Sequence, residues 1–190
     1  MLHQELALKY GLADRKLPYY KYSPEAVLEN DRARLYWDRP IITDRTIVAN
    51  KPDIVVMDRA QSRVFLVDIT IPYDDNLVKA ETDKKMKYLD LAHEVTDMWG
   101  GVPTEIIPIF VSANGLIPVR LSGHLRRLGL RNGTLQALMQ KAVLLDTARI
   151  RPHPLSLPFT LTLGRLVSPA EGFRLVGSYL NMYYMWRLNI

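Results

Sequence analysis

The chain has 190 residues, 48% of them hydrophobic, which suffices to bury one sizeable core and favours a single domain over two. It has no cysteine, which excludes a disulfide framework and a cysteine zinc site and fits an intracellular protein. Its net charge of +5 permits contact with phosphates without requiring it.

In chain order, Leu6 and Tyr10 lie four apart in a segment from His3 to Tyr10 that ends at Gly11, the pattern of a short helix with a glycine stop. A turn-rich aromatic stretch from Pro18 to Pro24 leads to two β-prone pieces, Arg34 to Trp37 and Ile41-Ile42, with Pro40 between them. Two apolar runs follow, Ile54 to Met57 and Val64 to Ile71. The polar segment Asp58 to Arg63 separates them, and their β-branched content predicts a strand hairpin.

From Leu77 to Trp99, apolar positions recur at helical spacing (Tyr88, Leu91, Ala92, Val95, Met98, Trp99), and Gly100-Gly101 ends the run. Glu105 to Val111 reads as another strand, Asn114-Gly115 as a turn, and 119–128 and 134–149 as two more helices. This order of helix, strands, helix, strand and helices predicts an α/β chain with a mixed sheet flanked by helices.

After Ile150 the character changes. Residues 151–190 hold four prolines, four arginines, one glutamate and no lysine, and are expected to lie outside the core as a frame-shifted or spliced-on tail. No apolar run approaches the roughly 20 residues that span a bilayer, and Met1 to Glu5 lacks the features of a signal peptide, so neither a membrane anchor nor secretion is expected.

The chemistry concentrates in Lys51-Pro52-Asp53, followed after 14 residues by Asp68 within Val67-Asp68-Ile69-Thr70. Strand alternation lets Asp53, opening one strand, and Asp68, closing the next, converge at one end of the hairpin. Mg²⁺ takes hard oxygen ligands and often uses only one or two protein carboxylates beside substrate phosphate, so such a pair is a sufficient metal site. Asp53 after a proline has an ordinary alternative as a turn residue. Asp68 interrupts an apolar strand, and its burial demands a partner.

These residues resemble the restriction-like endonuclease region of non-LTR retrotransposon polyproteins, a branch of the PD-(D/E)xK nucleases. The similarity rests on Lys51-Pro52-Asp53 and Asp68 together with Tyr19 to Pro24, Tyr36 to Arg45, Lys84-Lys85-Met86-Lys87-Tyr88-Leu89-Asp90-Leu91-Ala92 and Ile117-Pro118, and it covers 1–150. It implies a PD-(D/E)xK core in which Asp53 and Asp68 hold Mg²⁺, or Mn²⁺, for phosphodiester hydrolysis. It also implies a double-stranded DNA target nicked to prime reverse transcription, with element RNA or a reverse transcriptase as further partners and a nuclear setting.

Two departures from the family pattern qualify the match. Thr70 occupies the slot where the superfamily has lysine, and the retroelement branch supplies that lysine from the following helix, which leaves Lys84, Lys85 and Lys87. The reverse transcriptase and zinc knuckle of full elements are not in this sequence. Helical spacing from Val95 through Leu91 and Tyr88 reaches Lys84, so Lys84 is the first catalytic candidate and Lys87, one turn on, the second. Lys85 falls on the other side, and a solvated charge run is the alternative for all three.

Glu5 or Glu29 would be an additional acid of the kind some PD-(D/E)xK enzymes carry, with an exposed surface glutamate as the ordinary reading. His3, His93 and His124 lack metal-ligand spacing. Trp37 and Tyr19, Tyr20 and Tyr22 would either stack on bases or, more commonly, pack on the core. The rival functional readings are a catalytically inert DNA-binding or assembly relic of such a domain, and a translated genomic relic with no selected function.

Overall fold

The structure is a computed structural model that describes residues 1–72, 77–130 and 133–149, with only the backbone described at 77, 78 and 149. The expected tail at 151–190 lies outside the described residues. Ten elements follow in order: α1 (Leu2–Lys9), β1 (Val27–Glu29), β2 (Ala33–Trp37), β3 (Ile54–Asp58), β4 (Arg63–Thr70), α2 (Leu77–Lys87), α3 (Leu89–Met98), β5 (Thr104–Phe110), α4 (Val119–Arg127) and α5 (Gly133–Arg149). The strands form one sheet in the order β1-β2-β3-β4-β5, antiparallel through β4, with β5 parallel to β4. A parallel neighbour requires a crossover, and α2 and α3 supply it.

Both faces of the sheet are covered. Leu6 of α1, Leu125 of α4 and Met139 of α5 pack with Leu35, Ile54, Phe65, Val67 and Ile109. On the other face, Tyr88 and the α3 residues Leu91 and Val95 pack with Val55, Val64 and Leu66. Double coverage explains why β4 reads as a nearly continuous apolar run and why every residue from Val64 to Thr70 is buried, Asp68 included. Among the described residues no helix is long and apolar enough to cross a membrane.

Several local expectations change. The helix expected over 77–99 is two helices, interrupted at Tyr88, whose φ of −102° and ψ of 8° leave the helical region. Neither proline nor glycine marks this break. Tyr88 is fully buried with its hydroxyl fixed at the hairpin end, a tertiary contact that local propensity does not encode. Gly100 and Gly101 do end α3, at φ of 70° and 81°, and Gly101 N–H closes on the Thr96 carbonyl at 2.8 Å. Ile41-Ile42 is no strand: Ile41 N–H bonds the Asn50 carbonyl, and Ile42 is exposed. The three-residue strand β1 has no apolar alternation and is defined by pairing with β2.

Candidate active site at the open end of the β3–β4 hairpin

The β3–β4 ladder pairs Ile54 with Val67 and Val55 with Leu66. One step beyond it Asp53 comes opposite Asp68. Both carboxylates therefore share the face that carries Val55 and Leu66, the face covered by Tyr88 and α3. Ile69 N–H donates to Asp53 Oδ2 at 2.5 Å, which ties the two strand ends together through the side chain. Both aspartates are buried.

Asp68 is held from three directions. Lys84 Nζ lies 2.7 Å from Oδ2, Thr70 Oγ1 donates to the same oxygen at 3.1 Å, and Tyr88 Oη donates to Oδ1 at 2.8 Å. Thr70, two residues after Asp68, thus serves it as a neutral donor, and the cation comes from α2. Lys84 is 20% exposed at its side chain, so its ammonium reaches the Asp68 carboxylate from a largely covered position. Lys87 Nζ donates to Tyr88 Oη at 3.0 Å and stands 4.5 Å from that ring's centre. Tyr88 Oη also lies 3.1 Å from the Lys51 carbonyl, so one hydroxyl joins α2, the strand end and Asp68. Lys85 points elsewhere, to Glu81 at 2.7 Å.

The two carboxylates crowd each other. Burial, and next the charge of Asp68, push the Asp53 carboxyl up to about 7, against the lowering pull of the Ile69 N–H, Lys84 and Lys87. A carboxyl whose folded-state value exceeds its unfolded value keeps a proton that the unfolded chain has lost. Its contribution to stability is complete below the unfolded value near 3.8 and is lost as pH rises toward 7. Asp53→Asn keeps the acceptor for Ile69 and removes the charge. Without metal it is expected to raise unfolding free energy at pH 8 by on the order of 2 kcal/mol and to flatten the pH dependence between 4 and 7. Urea melts across that range check both, and a variant as pH-sensitive as the parent contradicts the assignment.

Helical periodicity places Tyr88 in an apolar stripe and does not show its polar role. The available signal was a tyrosine, rather than a phenylalanine, inside a buried stripe, since a buried phenol needs a partner. Burial first, and then Asp68, raise its pKa, so the phenol stays a donor. Tyr88→Phe keeps the packing but removes a bond to a charged group, and is expected to cost about 1.5–3 kcal/mol of stability in urea unfolding. A loss below the error of the melt would show that Asp68 does not depend on it.

The other candidates lie elsewhere. Glu5 is ion-paired with Lys16. Glu29 pairs with Arg34 and Arg59 beside the Asp58 end of the sheet, opposite the Asp53 end. Neither joins the aspartates. His3 is buried, with Nδ1 2.7 Å from Tyr22 Oη and its ring edge-on to Trp37; burial and then the N-terminal ammonium lower it to about 4, so it is neutral. Trp37 and Tyr22 pack inward, whereas Tyr20 is 71% exposed. His93 is exposed, and His124 is buried 3.5 Å from Glu81.

Among the described residues no group of three or more His, Cys, Asp or Glu side chains is placed to hold a metal ion, so the candidate centre is a pair. Its donor chemistry suits a hard divalent cation: two opposed carboxylates, one pushed toward protonation by the other, are relieved by positive charge. No protein-family model matches this chain, and no curated protein matches it.

Proposed function

We propose that this chain is a metal-dependent endonuclease domain with a PD-(D/E)xK core that nicks double-stranded DNA, as the resemblance to retroelement endonucleases implies. The observation that carries the reading is the meeting of Asp53, Asp68 and Lys84 at one hairpin end, two opposed acids and an ammonium 2.7 Å from one of them. Few structural needs call for two buried aspartates facing each other, because the arrangement opposes folding unless something positive compensates it.

Asp53 and Asp68 would hold Mg²⁺ or Mn²⁺, which when bound neutralises phosphate charge and lowers the pKa of water toward neutrality. The chain's own residues do the rest. Lys84 places a positive charge where the phosphate would gain negative charge, and Lys87 stands in reserve on the Tyr88 hydroxyl. Tyr88 and Thr70 fix the orientation of Asp68, so its carboxylate need not be reorganised during the reaction.

A second reading, an inert DNA-binding or assembly relic, draws on the same residues: Lys84, Thr70 and Tyr88 already satisfy Asp68 without a metal. Supercoiled plasmid incubated with the purified chain, with Mg²⁺ and with chelator, separates the two. A nick that requires metal is the expected result; DNA binding without any metal-dependent nick would favour the relic.

A further inference from the structure

A second charged cluster sits one turn of α2 before Lys84. Glu81 is buried, 8% exposed at its side chain, and its carboxylate gathers Lys85 at 2.7 Å, Arg120 at 3.3 Å and His124 at 3.5 Å. Burial opposes its ionisation, but Lys85, His124 and Arg120 together hold its carboxyl below the usual range, so it is charged. The acid lies beneath and the cations above: Lys85 is 43% and Arg120 65% exposed. One carboxylate set against Lys85 and Arg120 leaves a net positive charge facing outward. Glu81, Arg120 and His124 line a cleft of about 230 Å³ whose remaining walls are Phe110, Pro118, Val119 and Leu121, and Lys85 stands outside it on Glu81.

The surrounding chain extends this charge. Residues 106–145 contain no Asp or Glu and carry Arg120, Arg126, Arg127, Arg131 and Lys141, whereas 1–105 hold 15 Lys and Arg against 18 Asp and Glu. Along α4, Arg120, His124 and Arg127 follow at helical spacing on one side. Arg120 meets Glu81, while Arg127 meets Glu105 near the start of β5, so this row runs along the sheet's outer edge away from the aspartates. Pro108 keeps that edge from pairing onward, and its backbone holds His124 in place.

We infer that Lys85 and Arg120, propped on Glu81, seat a backbone phosphate of duplex DNA beside the one held at the aspartates, and that the α4 arginines continue the track. Lys84 and Lys85 are consecutive on α2 and turn to different carboxylates, Asp68 and Glu81, so adjacent positions of one helix serve the two seats. The seat takes phosphate without reading bases, because its groups are a point charge and a guanidinium on an edge rather than a groove-entering element. This inference rests on the nuclease reading for its choice of partner.

The test is the salt dependence of binding to a labelled DNA duplex in chelator, where no cleavage occurs. Each lost phosphate contact removes about 0.9 from the slope of log affinity against log salt. The double variant Lys85→Gln, Arg120→Gln removes one phosphate seat and is expected to lose about 0.9 from that slope and to bind roughly tenfold more weakly at moderate salt. Arg120→Lys, which keeps the charge, should retain the parent slope, and Arg59→Gln, at the far end of the sheet, should leave it unchanged. A double variant with the parent slope overturns the seat, as does Arg120→Lys losing as much as the double variant, which would mark a purely structural pair. A parent chain that binds no duplex overturns the DNA reading itself, a result distinct from either.

Discussion

Asp68→Asn is expected to abolish metal-dependent nicking of supercoiled plasmid, by at least about a thousandfold, since a metal ligand supplies several kcal/mol of transition-state stabilisation and each 1.4 kcal/mol is tenfold. The carboxylate is the hub of its site, accepting from Tyr88 and Thr70 and pairing with Lys84, so an uncharged amide there fails the lysine and, on the proposed reading, the metal as well. Asp53→Asn should abolish nicking as well, and the two variants separate by stability. Asn at 53 removes a repelled charge and stabilises the metal-free fold, whereas Asn at 68 strips Lys84 of its counter-ion and does not. Circular dichroism confirms that each variant is folded, and plasmid nicking over a Mg²⁺ titration reads activity. If both folded variants nick at the parental rate, the metal assignment fails.

Lys84→Ala is expected to slow single-turnover cleavage on the order of a hundredfold while DNA affinity stays near that of the parent, the signature of an interaction made in the transition state more than in the ground state. Its ammonium stands on Asp68 rather than in solvent, which is why its loss should appear in the rate. Lys85→Ala should show the opposite pattern, its loss appearing in affinity, because its ammonium is engaged with Glu81. Lys87→Ala tests the reserve position: Lys87 reaches Asp68 only through the Tyr88 hydroxyl, and the expected slowing is smaller. Should Lys84→Ala cleave normally, or lose only affinity, the catalytic role falls, and a rate loss confined to Lys87→Ala would transfer it there.

Much of the local architecture was legible in the residues themselves. The β3–β4 hairpin announces itself by two β-branched runs around a polar turn, and the alternation of a pleated strand alone brings Asp53 and Asp68 to one end of it. The buried stripe through Tyr88, Leu91 and Val95 is a matter of helical period, whereas its continuation to Lys84 crosses the break at Tyr88 and is settled by the contact with Asp68. These features depend on residues near each other in sequence, or on a register that two adjacent strands impose.

What the residues could not show depends on contacts between distant segments. The break at Tyr88 has no local signal; it accompanies a hydroxyl anchored on Asp68 and the Lys51 carbonyl, respectively 20 and 37 residues away. β1 is too short to declare itself and exists through its partner. Glu81, Arg120 and His124 carry no shared motif in the residues, since 39 positions separate Glu81 from Arg120 and only the placement of α4 beside β5 joins them. Glu29 was drawn away from the aspartates by the opposite polarity of β1 and β2 at the far end of the sheet. The sequence by itself therefore determined the mixed α/β class, the hairpin and the facing of its two acids, because periodicity is a short-range property. Which cation meets which carboxylate was decided only by tertiary packing, because buried charge takes the partner that the folded chain brings within a few ångströms.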